Sequence, residues 1–117
     1  LTEASSGSDA AAMKTTAELD GDHWVLNGTK QFITHGRTGD LIVAMAVTNR
    51  GRGSRGISAF IVERGTPGFR VGRKEDKLGM RASETSEVVF PALASPRRRS
   101  LTIVEEWCFE SVGILFS

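Results

Sequence analysis

Hydrophobic and polar positions along this chain alternate in short runs cut by turn signals. Met13–Leu19 (MKTTAEL) and His23–Leu26 (HWVL) read as strands on either side of the turn Asp20-Gly21-Asp22. Asn27-Gly28 follows, a strong hairpin signal because a type I′ turn needs positive φ at both central positions. Thr29–Thr34 is then the return strand, on which alternation sets Phe32 beside Thr34 on one face. Asp40–Thr48 (DLIVAMAVT) is nearly all apolar and reads as a buried strand, though periodicity alone leaves a short helix open. Gly56–Glu63, Phe69–Gly72 and Ser86–Phe90 complete the strands, with a turn at Gly65–Gly68. About six or seven short antiparallel strands, with turns every 8–12 residues or so, predict an all-β fold, a sandwich or distorted barrel.

Between the strands lie a small-residue loop over residues 1–12 with one helical turn at Ala10–Ala12, a flexible basic loop at Asn49–Gly56, and a charged irregular stretch at Arg73–Arg81. No internal repeat and no long amphipathic helix precedes residue 91. Composition then changes. PALASPRRRS is rich in Pro and Arg, and LTIVEEWCFESVGILFS has neither period. The expected organisation is a β-domain over 1–90 and an irregular tail over 91–117.

The 117 residues suffice for one domain or a piece of one. The opening LTEASSGSD, without Met, reads like the middle of a protein, so a fragment is expected. A net charge of +1 gives no general drive toward nucleic acid or anionic membrane. A single cysteine, Cys108, leaves no internal disulfide framework and fits a reducing compartment. His23 and His35 stand apart from any ligand cluster, so no metal site is expected. No apolar run approaches the roughly 18 residues of a membrane span, and no signal peptide is visible.

The residues that carry chemistry fall in two stretches. In one, a flat apolar ring (Phe32) lies beside a hydroxyl (Thr34), a wall suited to a flat ligand with polar edges. In the other, Thr2–Ser8 offers hydroxyls and flexible backbone. Together with Gly56–Glu63, Thr66-Pro67-Gly68 and Lys74–Arg81 followed by Ser83 and Thr85, these motifs, in this order, resemble the middle β-domain of the acyl-CoA dehydrogenases over residues 1–90.

That resemblance implies a flavoenzyme subunit in which this domain stands between two helical ones, with FAD held between it and the C-terminal helices. It implies that Leu1, Thr2, Gly7, Ser8, Phe32, Ile33 and Thr34 bind the cofactor: Phe32 stacks on the ring system, while Thr2 and Thr34 meet its heteroatoms. Ser8, Ser54 and Arg55 are implied to meet the acyl-CoA thioester. The reaction implied is α,β-desaturation with hydride transfer to the flavin, and the electrons pass on to an electron-transfer acceptor. No catalytic residue is expected in this chain, because the family's base is a Glu of the C-terminal domain. A homotetrameric parent in a bacterial cytoplasm or the mitochondrial matrix is also implied. Phe32 replaces a frequent Trp and His35 a frequent Asn; Phe still stacks without the indole donor, so only fine tuning is affected. Ala4 in place of a frequent Pro loosens the loop without removing its contacts. Acyl-CoA oxidases and nitroalkane oxidases share the domain. The other readings are a β-sandwich binding module using the basic loop, and a gene relic.

The tail carries a second reading. Ala94–Leu101 can be spelled GCG TCC CCG CGG AGG AGA TCC TTG. Read from its third base, this spelling gives Val-Pro-Ala-Glu-Glu-Ile-Leu, a segment similar to the family's at this place. The expectation is that residues from about 91 onward are translated out of frame after a one-base deletion, which leaves Arg97–Arg99, Trp107 and Cys108 without a selected role.

Overall fold

The computed structural model describes residues 1–96 and 100–101. Seven strands form one sheet: β1 (Thr16–Asp20), β2 (His23–Thr34), β3 (Leu41–Val47), β4 (Ile57–Glu63), β5 (Arg70–Lys74), β6 (Thr85–Pro96) and β7 (Ser100–Leu101), in the order β5-β6-β2-β1-β3-β4-β7. Neighbours are antiparallel except β1 and β3, which touch in parallel at Thr16 and Val47. The all-β expectation holds. Short 3-10 turns cover Ala10–Ala12, where one helical turn is expected, and Arg50–Gly56, the basic loop.

The sheet curls on itself. β2 and β4 are separated by two strands in the order, yet Trp24 and Phe60 meet edge to face, with ring centroids 5.7 Å apart. One cluster fills the curl: Leu26, Val88, Phe90 and Leu93 from β2 and β6 pack on Ala44, Ala46, Phe60 and Val62 from β3 and β4. Each large side chain buried there contributes about 1.5–3 kcal/mol. A second cluster lies on the other face of β3 and β4, where Met45, Val47, Ile57 and Ala59 are covered by Ala10, Met13 and Leu1. Covering on both faces explains the unbroken apolar run from Ala44 to Val47. The buried strand expected over Asp40–Thr48 holds only there, since Leu41 and Val43 are 56% and 52% exposed.

Asn27-Gly28 is not a turn. Both residues lie inside the twelve-residue β2, and Asn27 pairs with Thr16 of β1. The glycine instead allows close approach of backbone: a Cβ on Gly28 would lie 2.3 Å from Thr15 Oγ1 and 2.7 Å from Thr15 Cα. The hairpin turn is at Gly21-Asp22, between the paired Asp20 and His23, with Gly21 at φ +58.

β6 does not end at Phe90 but runs on to Pro96 along β2. Proline is tolerated there because Pro91 and Ala92 form a bulge between Phe90, opposite Gly28, and Leu93, opposite Leu26. Ala92 takes φ +50, and beyond it Leu93 and Ser95 turn inward again. The out-of-frame reading otherwise falls mostly on residues 97–99 and 102–117, outside the described residues.

The charged stretch after β5 is ordered by its own side chains. Lys77 Nζ donates to Ser83 O and to Thr85 Oγ1, and Arg81 pairs with Asp76. It presents Leu78 and Met80 fully to solvent.

Candidate flavin wall

Two segments distant in sequence meet at the end of β2. The first, residues 1–8, is tied down by a buried acid. Glu3 and Ser6 bond each other's backbone, closing a tight turn. The Glu3 carboxylate then reaches inward, where Oε2 accepts Lys14 N (2.6 Å) and Oε1 accepts Thr15 N (3.1 Å), Thr15 Oγ1 (2.6 Å) and Lys30 Nζ (2.7 Å). The Glu3 and Lys30 side chains are 5% and 2% exposed. Lys30 Nζ also donates to Leu1 O. Burial pushes the Glu3 carboxyl up, but the bonds from Lys30, Thr15 and the Lys14 amide outweigh it and hold the pKa at about 2. Burial lowers the Lys30 pKa, against the pull of Glu3.

The second segment is the end of β2. Gln31 N donates to Thr2 O at 2.8 Å, so residues 1–8 lie against the strand one position before Phe32. There the ladder with β6 slips: Lys30 faces Val88 and Ile33 faces Ser86, so Gln31 and Phe32 together oppose Glu87. Phe32 takes φ +57, in the left-handed region that costs a residue with a β-carbon free energy. The bulge turns its ring outward, 59% exposed, while Ile33 packs on the main cluster and Thr34 is exposed. Phe32 and Thr34 are thus both exposed, as alternation within Thr29–Thr34 predicts, but the bulge is what reverses the inward parity of Lys30 ahead of them.

The expected cofactor residues Leu1, Thr2, Gly7, Ser8, Phe32, Ile33 and Thr34 therefore fall in two segments joined through Thr2 and Gln31. Leu1 is an exception in orientation, since its side chain packs against the second core cluster. Gly7 and Ser8 are exposed on the loop before the Ala10–Ala12 turn. That turn packs against the Arg50–Gly56 segment, which carries exposed Ser54 and Arg55. The structure thus brings Ser8 and the basic loop to neighbouring elements.

Sequence reasoning missed the Glu3–Lys30 anchor and Glu84. A signal for the first exists: Lys30 shares the inward parity of Leu26 and Gly28, and a lysine there needs a buried acid. Glu84 lies at the rim of a cleft of about 210 Å³ lined by Lys74, Glu75, Asp76, Lys77, Arg81, Ser83 and Thr85.

A family model described as the middle domain of acyl-CoA dehydrogenases matches residues 1–93. The chain belongs to the acyl-CoA dehydrogenase family. It is 51% identical over 96 residues to the short-chain specific acyl-CoA dehydrogenase of Clostridium acetobutylicum, covering 82% of this chain and 25% of that protein. Among solved structures it resembles the butyryl-CoA dehydrogenase of Megasphaera elsdenii, with a TM-score of 0.85, 44% identity and coverage of 87% of this chain and 27% of that one. It also resembles a glutaryl-CoA dehydrogenase of Mycobacterium smegmatis solved in complex with FADH2, with a TM-score of 0.80, 40% identity and coverage of 92% and 26%. The chain thus spans about a quarter of the length of these relatives. Among the described residues, no helix is long and apolar enough to cross a membrane.

Proposed function

We propose that this chain is the FAD-binding middle domain of an acyl-CoA dehydrogenase acting on acyl-CoA thioesters at the α,β bond. The observation that carries the reading is the junction at the end of β2. There the Thr2 carbonyl bonds Gln31 N, and a bulge turns an unstacked aromatic ring, Phe32, out beside the exposed Thr34 hydroxyl. The residues fit the cofactor on their own chemistry. An exposed ring held in a costly backbone conformation is a platform for a second flat ring, and Thr34 offers the hydrogen bond its polar edge requires.

In this reading Phe32 covers the ring system, Ile33 takes part through its backbone because its side chain packs on the core cluster, and Thr2, Gly7, Ser8 and Thr34 hold the polar edge. Ser8, Ser54 and Arg55 face the acyl-CoA. When bound, FAD supplies the two-electron oxidation; these side chains orient it and keep water from one face. The domain contributes no general base, and the electron acceptor and the homotetrameric assembly belong to the parent enzyme. These 117 residues alone hold flavin weakly or not at all, because they span about a quarter of the relatives' length and, in this reading, half of the site lies outside that quarter.

The test is a chimera in which residues 1–93 replace the matching segment of the Clostridium acetobutylicum enzyme. It should purify with FAD and oxidise butyryl-CoA. Phe32→Ala and Thr34→Ala should each weaken FAD retention by about tenfold or more, the loss of one stacking or hydrogen-bonding partner. A folded chimera without FAD, or variants that retain FAD and turnover unchanged, would overturn the reading. A 117-residue chain that purifies yellow with stoichiometric FAD would overturn the statement about the isolated domain.

A further inference from the structure

The Phe32–Gly36 stretch contains two residues with left-handed backbone, Phe32 (φ +57) and His35 (φ +54). Such conformations persist in residues with a β-carbon only where the surroundings over-determine them. At Phe32 the hold is the bulge and the bond from Gln31 N to Thr2 O. At His35 the turn's own bonds, from Gly39 N to His35 O and between His35 Nδ1 and Thr38 Oγ1, are joined by Glu84. The Glu84 backbone carbonyl accepts His35 N at 2.8 Å, and its carboxylate Oε2 accepts Arg37 N at 3.1 Å. One residue therefore grips the turn before and after its strained position.

Glu84 is suited to this. It is 7% exposed. Burial pushes its pKa up, but the Ser86 hydroxyl, the amides of Arg37 and Thr38, and His35 together bring it below the usual carboxylate range, so the carboxylate is charged at neutral pH. Ser86 helps by proximity: neither its Oγ nor Glu84 Oε1 has an aligned hydrogen-bond partner. The turn sits directly on this pair, since a Cβ on Gly36 would lie 2.8 Å from Ser86 Oγ. Of the cations lining the adjoining cleft, Lys77 is committed to Ser83 and Thr85, and Arg81 to Asp76. The pairing of Thr34 with Thr85 and of Ile33 with Ser86 sets Glu84 at the very end of the wall.

We propose that Glu84 is a positioning residue of the flavin wall: it fixes the His35–Thr38 turn and, through it, the direction of the Thr34 hydroxyl. The proposal rests on the flavin reading of Phe32–Thr34 for its functional half. Its structural half is testable without cofactor. In the 15N,13C-labelled 117-residue chain, Glu84→Ala should speed amide exchange at Arg37 by about tenfold or more, the effect of losing a hydrogen bond to a charged acceptor, and should move the Thr34 Cβ resonance. Glu84→Gln, which keeps an acceptor oxygen, should restore both. Glu84→Asp keeps the charge but falls short of Arg37, so it should behave like the alanine variant and serves if that variant fails to fold.

In the chimera, Glu84→Ala or Glu84→Asp should weaken FAD retention and shift the flavin absorbance bands, and Glu84→Gln should recover both. Unchanged exchange at Arg37 and an unchanged Thr34 resonance in Glu84→Ala would overturn the proposal. So would a chimera carrying Glu84→Ala or Glu84→Asp that holds FAD with the parental affinity and spectrum. If the unsubstituted chimera holds no flavin, the function reading fails, while exchange in the isolated chain still decides whether Glu84 holds the turn.

Discussion

Replacing Lys30 by Met keeps most of the aliphatic stem and removes the charge. In the folded chain Lys30 Nζ lies 2.7 Å from Glu3 Oε1, with both side chains almost wholly buried. Removing one partner of a buried pair costs about 3–5 kcal/mol, because the other charge is left uncompensated. Glu3 would retain three donors, Lys14 N, Thr15 N and Thr15 Oγ1, so the expected cost is at the lower end, about 3 kcal/mol. That is a large share of the roughly 5–15 kcal/mol that holds a domain folded. At about 4–8 °C per kcal/mol it lowers Tm by roughly 15 °C. The measurement is urea unfolding at pH 7 followed by far-UV circular dichroism, with the slope checked for constancy. Glu3→Gln/Lys30→Met leaves no unpaired charge and should recover at least about 1.5 kcal/mol relative to Lys30→Met alone. A single-variant cost under about 1 kcal/mol, or a double variant equal to the sum of the two singles, would refute the claim that this pair anchors residues 1–8 to β2.

The same anchor predicts a pH dependence. The folded Glu3 pKa, about 2, lies below its ordinary 4.5, so its contribution is complete above about pH 4.5 and is lost as pH falls toward 2. The depression corresponds to about 3 kcal/mol, an upper figure because burying Lys30 opposes it; Glu3→Gln should flatten urea stability between pH 5 and 3, and equal slopes in both proteins would count against it. Gly28→Ala should destabilise by about 1–3 kcal/mol or more, since its Cβ meets Thr15 backbone and trimming the Thr15 side chain leaves that contact; unchanged urea stability contradicts it. Resequencing the coding DNA should show that one restored base near the Phe90 codon opens a frame reading Val-Pro-Ala-Glu-Glu-Ile-Leu, and no such frame ends that reading.

Strand identities were legible because each rests on a local pattern. The apolar residues of Ile57–Glu63 and the run from Ala44 to Val47 have one physical cause, burial on both faces of β3 and β4. Asn27-Gly28 misleads because glycine has two uses, positive φ in a turn and room for a neighbouring backbone, and only the tertiary approach of Thr15 decides between them. The exposure of Phe32 beside Thr34 was legible as alternation but not by mechanism, since the outward turn of Phe32 comes from a bulge. Glu3–Lys30 and Arg37–Glu84 join residues far apart in the chain, and no periodicity reports such a pair. The end of β6 was hidden because Pro91 ordinarily stops a strand, whereas here it occupies a bulge.

The contact between Trp24 and Phe60 makes the chain its own optical reporter. Trp24 is the sole tryptophan among the described residues, and its contact with Phe60 bridges β2 and β4 across the inside of the curl rather than any one pair of neighbouring strands. Its buried indole Nε1 has no hydrogen-bond partner, so opening that contact lets water reach it. With Trp107 replaced by Phe, its emission follows the curl of the sheet, while circular dichroism follows strand pairing. The two signals separate a sheet that has merely uncurled from one that has come apart.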